Sequence, residues 1–202
     1  MKDPRSLLPI IEETCGSVAT LTFNRSAQRN PLSSFILDSL DLVLSVVLGN
    51  QNVKTIIFTG TDDVFLSGAD IRELAMLDPI AALTFAEKGQ QLLQRIADAS
   101  QVTVAAINGY CMGGGLDFAL ACDVRVASPT AVFAHPGARL GIITGWGGTQ
   151  RLPRLIGKTL ALELLLTGRR LNSFQAMENG LIHAIKDPVV NGAIELVEGS
   201  RP

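Results

Sequence analysis

The chain has 202 residues, enough for one domain with a substantial core. Apolar residues make up 47% and charged residues 18%, the balance of a well-buried globular protein. Lys plus Arg is 17 against 19 for Asp plus Glu, which argues against a nucleic-acid or membrane surface as partner. Cys15, Cys111 and Cys122 lack CxxC spacing, and with His135 and His183 they assemble no zinc-type cluster. They read as small buried apolar residues in a reducing compartment, so a cytoplasmic location is expected. The N-terminus has neither the basic start and apolar core of a signal peptide nor the arginines of a transit peptide, and no apolar run is long enough to span a bilayer.

Residues 17–23 alternate as a strand and lead into a polar loop over 24–31. Ile36, Leu40, Val43, Leu44 and Val47 then recur at helical spacing, predicting a helix over 32–48. Residues 54–60 form a short β-branched strand ending at glycine. Residues 61–69 read as a loop and 70–74 as one helical turn. Asp78-Pro79 is a helix start, an N-cap acid with proline at the first helical position, and that helix is expected to reach Ala99. The run 102–107 is strand-like, and after it come Gly113, Gly114 and Gly115 and a helical pattern over 116–122. Short strands are predicted at 124–127 and 131–134, and a helix at 158–167 stopped by Gly168. Asn172 or Ser173 caps a further helix ending at Gly180, and 181–185 is a last apolar run. Strands alternating with helices imply an α/β architecture with largely parallel pairing, whose ligands gather beyond the strand ends.

The turn at Gly113 to Gly115 has two readings. Three glycines make a tight turn in many proteins without further purpose. A glycine turn that opens a helix also leaves N–H groups without partners and lets another molecule approach the backbone, which suits an anion or a developing oxyanion. Gly141, Gly145, Gly147 and Gly148 lack the strand–GxGxxG–helix setting of a dinucleotide loop, and no GxxxxGK[ST] sequence is present.

Several pieces occur together in one order. They are Leu21-Thr22-Phe23-Asn24-Arg25 with Asn30-Pro31-Leu32, then Phe65-Leu66-Ser67-Gly68-Ala69-Asp70-Ile71 and Asn108-Gly109-Tyr110 with the glycine triplet. Ala121-Cys122-Asp123, Gly147-Gly148-Thr149-Gln150-Arg151-Leu152 and Leu166-Thr167-Gly168 follow. In this the sequence resembles the crotonase family of enoyl-CoA hydratases and isomerases, over roughly residues 18–185. The resemblance implies a crotonase-like spiral of stacked ββα units, a homo-trimer or hexamer, and an acyl-CoA thioester as substrate in fatty-acid or related acyl-CoA metabolism. Coenzyme A is then part of the substrate and no separate cofactor is expected. Residues 1–186 would form the acyl-CoA-binding core, and 187–202 the start of a C-terminal helical region that is short or missing here.

By position in those motifs, the resemblance makes the backbone N–H groups of Ala69 and Gly114 the pair that holds the thioester oxygen as an enolate develops. Substrate contacts would come from Arg25, Ala27 and Gln28 in the polar loop, from Ser67, Ala69, Asp70 and Ile71, and from Gly113, Gly114, Pro136 and Gly137. Arg25 and Arg29 are candidates for the phosphates of coenzyme A. Hydratases of the family use two glutamates; this chain has Asp117 at one position and Gly137 at the other. Adding water needs one group to take a proton and one to give it, so isomerase-type proton transfer by Asp117 is favoured over simple hydration. Dienoyl-CoA isomerases carry an aspartate at the position of Asp117, but their further acids would fall on Gly137 and Gly145. Dihydroxynaphthoyl-CoA synthases can have glycine at the Gly137 position, with bicarbonate in place of the carboxylate, so a bound anion or water near Gly137 is a further option. The alternative is an acyl-CoA-binding or assembly subunit without catalysis.

Other residues weigh toward structure. Asp117 could merely suit a helix N-terminus. His135, two residues before Gly137, would face the same way in an extended segment, either as a base or, with more weight, as a wall of the site. Asp70 is expected to order its loop, Asp123 to hold a helix end, Trp146 to pack, and Tyr110 to belong to the core or pocket wall.

Overall fold

Three times along this chain a strand of one sheet is followed by a strand of a second. The computed structural model describes residues 7–199. It begins with β1 (Ile10–Cys15), β2 (Val18–Phe23), a 3-10 turn at Ser26–Gln28, β3 (Pro31–Leu32) and α1 (Ser34–Gly49). Next come β4 (Thr55–Gly60), β5 (Val64–Leu66), β6 (Gly68–Ala69), α2 (Ile71–Leu74) and α3 (Pro79–Ala97). The centre holds β7 (Val102–Ile107), β8 (Tyr110–Met112), α4 (Gly114–Ala121), β9 (Val124–Ala127), β10 (Val132–Ala134) and a 3-10 turn at Pro136–Leu140. The chain continues through α5 (Gly148–Ile156), α6 (Lys158–Thr167), β11 (Leu171–Asn172), α7 (Ser173–Glu178), β12 (Ala184–Ile185) and α8 (Val189–Gly199).

The larger sheet has the order β1-β2-β4-β7-β9-β12, parallel except for the β1–β2 hairpin. The second sheet runs β11-β10-β8-β5, and β3 pairs with β6 beside it. A strand of the large sheet, a strand of the small one and then a helix recur at β4–β5, at β7–β8 and at β9–β10. That recurrence is the crotonase-type spiral of ββα units.

Both faces of the central strands are buried, so they read as continuous apolar runs. Ile56, Phe58, Ala105 and Ile107 point into the main core, where Phe23, Phe58, Phe65 and Phe118 meet edge to face. The alternate residues Ile57, Val104, Ala106 and Val126 face the other way and are covered by Val189 and Ala193 of α8. Helix starts follow local chemistry: Asp78 accepts from Ala81 N–H at 2.8 Å with Pro79 behind it, and Asn172 with Gln175 forms a capping box.

Four expectations need correcting. Residues 61–69 are not simply a loop, since they contain β5 and β6. The segment after His135 is not extended: Pro136 fixes φ for a helical first position and the chain winds into the 3-10 turn. Cys15 is exposed, because β1 is an edge strand whose outer half faces solvent; Cys111 and Cys122 are buried as expected. β1, β8, β11 and α5 lie where no element was predicted, and β3 falls on the junction of the predicted loop and helix. Of the expected C-terminal region, α8 packs on the large sheet, while residues 200–202, like 1–6, lie outside the described residues. Among the described residues no helix is long and apolar enough to cross a membrane.

Candidate active site

Strand β6 and the start of α4 lie side by side. A Cβ placed on Gly114 would sit 3.4 Å from the Ala69 nitrogen, and one placed on Gly68 would sit 2.9 Å from the Gly114 nitrogen. Gly114 is the first residue of α4, so its N–H has no acceptor inside the helix. The turn that presents it is tied down behind, where Gly113 N–H donates to the Ala134 carbonyl at 2.8 Å. Two backbone segments carrying N–H groups thus converge beside the positive end of a helix.

A cavity of about 260 Å³ opens in front of them. Ser67, Ala69, Ile71, Gly113, Gly114, Asp117, Pro136 and Gly137 line it, together with His135 and Thr144. The rest of its wall is apolar, from Leu74 of α2, Ala82, Phe85 and Ala86 of α3, Leu140 at the end of the 3-10 turn, and Ile142, Ile143 and Trp146 of the stretch before α5. Trp146 is buried, and its indole fills a slot that exists because two neighbours lack side chains. A Cβ on Gly89 would lie 2.2 Å from the ring, and one on Gly114 2.7 Å from it. Phe85 stacks on it at a tilt, with centroids 5.3 Å apart.

Asp117 stands three residues after Gly114, on the same side of α4 about one turn on. Its side chain is 1% exposed and His135 is 3% exposed. The Thr144 hydroxyl donates to Asp117 Oδ2, and His135 Nε2 lies 3.0 Å from Oδ1. That second contact is close but not well aligned, and neither Oδ1 nor Nε2 has another hydrogen-bond partner. The carboxylate also lies against the first residue of α5: a Cβ on Gly148 would come within 2.1 Å of Oδ1 and 3.1 Å of His135 Nε2. Gly148 is therefore what lets the carboxylate and imidazole share this space, at a helix N-terminus that favours negative charge. The same charge, after burial, drives the Cys111 thiol well above its ordinary value.

Gly137 closes off rather than opens. A Cβ there would lie 2.8 Å from the Ile142 carbonyl oxygen, and Ile142 N–H donates to the Gly137 carbonyl at 3.1 Å. Ile142, just past the 3-10 turn, occupies the place where a side chain at 137 would have gone.

The remaining candidates lie outside the cavity wall. Arg25, Ala27 and Gln28 are exposed around the first 3-10 turn, with the Arg25 guanidinium 5.9 Å from the Phe35 ring centroid. Arg29 lies over the Tyr110 ring at 5.2 Å and 3.9 Å from Asp63. Asp70 caps α2, accepting from Arg72 N–H at 2.9 Å. Asp123 takes both the N–H and the hydroxyl of Thr103 at 2.8 Å, a structural tie. Among the described residues no group of three His, Cys, Asp or Glu side chains is placed to hold a metal ion. Sequence reasoning missed Thr144, 27 residues from Asp117, and the pairing of His135 with Asp117; a lone hydroxyl and a lone imidazole carry no local signal.

Residues 13–199 match the family model described as Enoyl-CoA hydratase/isomerase. The short-chain-enoyl-CoA hydratase of Clostridium acetobutylicum is 35% identical over 190 residues, covering 93% of this chain and 73% of that protein. The mitochondrial enoyl-CoA hydratase domain-containing protein 2 of Mus musculus is 39% identical over 170 residues, 83% of this chain and 57% of its own length. Among solved structures, an enoyl-CoA hydratase from Bacillus anthracis superposes with a TM-score of 0.91 at 34% identity, over 95% of this chain and 76% of that one.

Proposed function

The chain belongs to the enoyl-CoA hydratase/isomerase family, and on that premise we propose that it binds an acyl-CoA thioester in the cavity and moves a proton on its acyl group through an enolate. The thioester oxygen sits between the N–H groups of Ala69 and Gly114, where fixed donors meet charge that grows only in the transition state; each is worth about 3–4 kcal/mol. The acyl group lies along Phe85 and Trp146. Asp117 takes and returns the proton. Ser67 and Ile71 belong to the acyl-thioester contact, and the exposed loop with Arg25, Ala27 and Gln28 to the coenzyme A portion, as in fatty-acid or related acyl-CoA metabolism.

The observation that carries this reading is Asp117, a buried carboxylate on the cavity wall one turn from the Gly114 N–H, opposite a position that has glycine. One carboxylate can remove a proton from one carbon and return it to another, so isomerase-type transfer is favoured over simple hydration. A panel of enoyl-, dienoyl- and malonyl-type CoA esters tests it. Asp117→Asn is expected to lower kcat by about 10²–10⁴-fold on the accepted ester while leaving its Kd within about twofold. Unchanged turnover in that variant contradicts the assignment. A folded protein that binds these esters tightly and turns over none of them supports the other reading, a binding subunit. Assembly into trimers or hexamers belongs to the same proposal, with exposed Leu166 and Phe174 as apolar surface for a neighbouring copy, and light scattering reads it directly.

A further inference from the structure

Asp117 does not face the cavity alone. We infer that His135 and Asp117 together form a single proton-holding pair, in which the imidazole shares the proton that Asp117 takes. The inference rests on reading the cavity as an acyl-CoA site. Both side chains are almost wholly buried, both line the cavity, and Oδ1 and Nε2 face each other at 3.0 Å without another partner. With the imidazole hydrogen on Nδ1, these are two acceptors, and two acceptors this close inside a buried wall make a place for one proton. The Thr144 hydroxyl occupies Oδ2, which fixes the carboxylate plane and leaves Oδ1 to the imidazole. The other ionisable groups on β8, the 3-10 turn and α5 are Tyr110, Cys111, Arg139, Arg151 and Arg154. The Arg151 guanidinium is turned to the Trp146 carbonyl at 3.1 Å.

The step balances as follows. The Cα–H bond of the acyl group breaks, its electron pair enters the enolate on the thioester oxygen, and the proton goes to the Asp117 carboxylate. The imidazole shares that proton through Nε2. Return of a proton from the pair to the enolate restores the C–H bond and empties the pair. His135 is in this sense a positioning and proton-sharing residue for Asp117, and Asp117 is the group that touches the reacting carbon.

Butanoyl-CoA in D2O reads the step without knowledge of the natural substrate, because its α-protons exchange only if the enolate forms. The wild-type protein is expected to exchange them, and Asp117→Asn to abolish exchange while still binding the ester. His135→Gln keeps a hydrogen-bonding amide beside the carboxylate but holds no proton. It is expected to bind butanoyl-CoA with a Kd within about twofold, to slow exchange at least about tenfold, and to lose a limb of the pH–rate profile. Exchange by His135→Gln at the wild-type rate, with the wild-type pH profile, overturns the pairing while leaving Asp117 as the base. Absence of exchange in a wild-type protein that binds the ester overturns the reading of the site itself, and the pair with it. Should His135→Gln fail to fold, the imidazole signals of the wild type decide. The chain has two histidines, His135 and His183, so assignment is direct. The His135 ring signals must move when butanoyl-CoA binds at fixed pH, because the ester alters the carboxylate that the imidazole faces; ring signals that ester binding leaves unchanged overturn the proposal.

Discussion

The two halves of the candidate site are built from different material. The half that would hold the thioester oxygen is backbone, from β6 and the first residue of α4, fixed by strand pairing and by the Gly113–Ala134 hydrogen bond. The half that would move the proton is side chain, with Asp117 from α4, His135 from the end of β10, Thr144 from the following stretch, and room left by Gly148 at the head of α5. Backbone donors persist through most substitutions, because every residue but proline supplies an N–H. A side-chain constellation drawn from four segments changes with any one of them. A family can therefore keep one holding device and vary the proton chemistry beside it. In this chain Gly137, the position that the resemblance gives to a second carboxylate, lies against the Ile142 carbonyl.

The largest expected effect falls on the holding half. Trp146 fills the slot between Gly89 and Gly114, so Trp146→Ala empties space directly behind the N–H pair. It is expected to cost about 3–5 kcal/mol of stability, read as a lower denaturation midpoint. In protein that remains folded it should weaken ester binding and shift preference toward bulkier acyl groups. Gly148→Ala strikes the proton-moving half instead. Its methyl would fall 2.1 Å from Asp117 Oδ1, so the carboxylate must move, and kcat is expected to drop by about 10²-fold with Kd nearly unchanged. An equal loss in binding would show that the two halves are not separable. Thr144→Val removes the hydroxyl from Oδ2 and leaves a buried charge short of one donor. About tenfold in kcat is expected, with roughly 1.5–3 kcal/mol lost from stability, read as a lower denaturation midpoint.

The smallest effect lies away from both halves. Burial first, then the charge of Arg125, holds the His183 imidazole below its ordinary value of 6.5, and its Nδ1 accepts from Arg125 N–H at 3.1 Å. The folded state therefore binds this proton less readily than the unfolded one. Its contribution is present above pH 6.5 and is lost as pH falls below that value. His183→Asn should flatten this part of the acid-side stability curve and leave ester turnover untouched, since the residue sits by β12 and β9 rather than at the cavity.

Legibility in the sequence follows the same division. β7 and β9 and the helices α3 and α6 were readable from apolar runs and caps, because both faces of the strands are buried and Asp78 and Gly168 mark helix ends. β5 and β6 were not, being three and two residues long, too short for a period to show. α5 begins at two glycines and contains Pro153, so local propensity speaks against the helix that tertiary packing makes. The glycine turn and the motif around Ala69 are contiguous, and could be read as an oxyanion site through resemblance to a family. Asp117 with His135 is a contact across 18 positions between a helix and a strand end, and only the fold brings them to 3.0 Å. The shape of the turn after Pro136, which excludes a side chain at 137, was equally invisible in the residues themselves.

A structure with a non-reacting acyl-CoA thioester bound tests the central claim most directly. The thioester oxygen should lie about 2.7–3.1 Å from both the Ala69 and Gly114 nitrogens, with the α-carbon turned toward Asp117. A thioester oxygen held elsewhere, or an acyl group outside the cavity lined by Phe85 and Trp146, contradicts it.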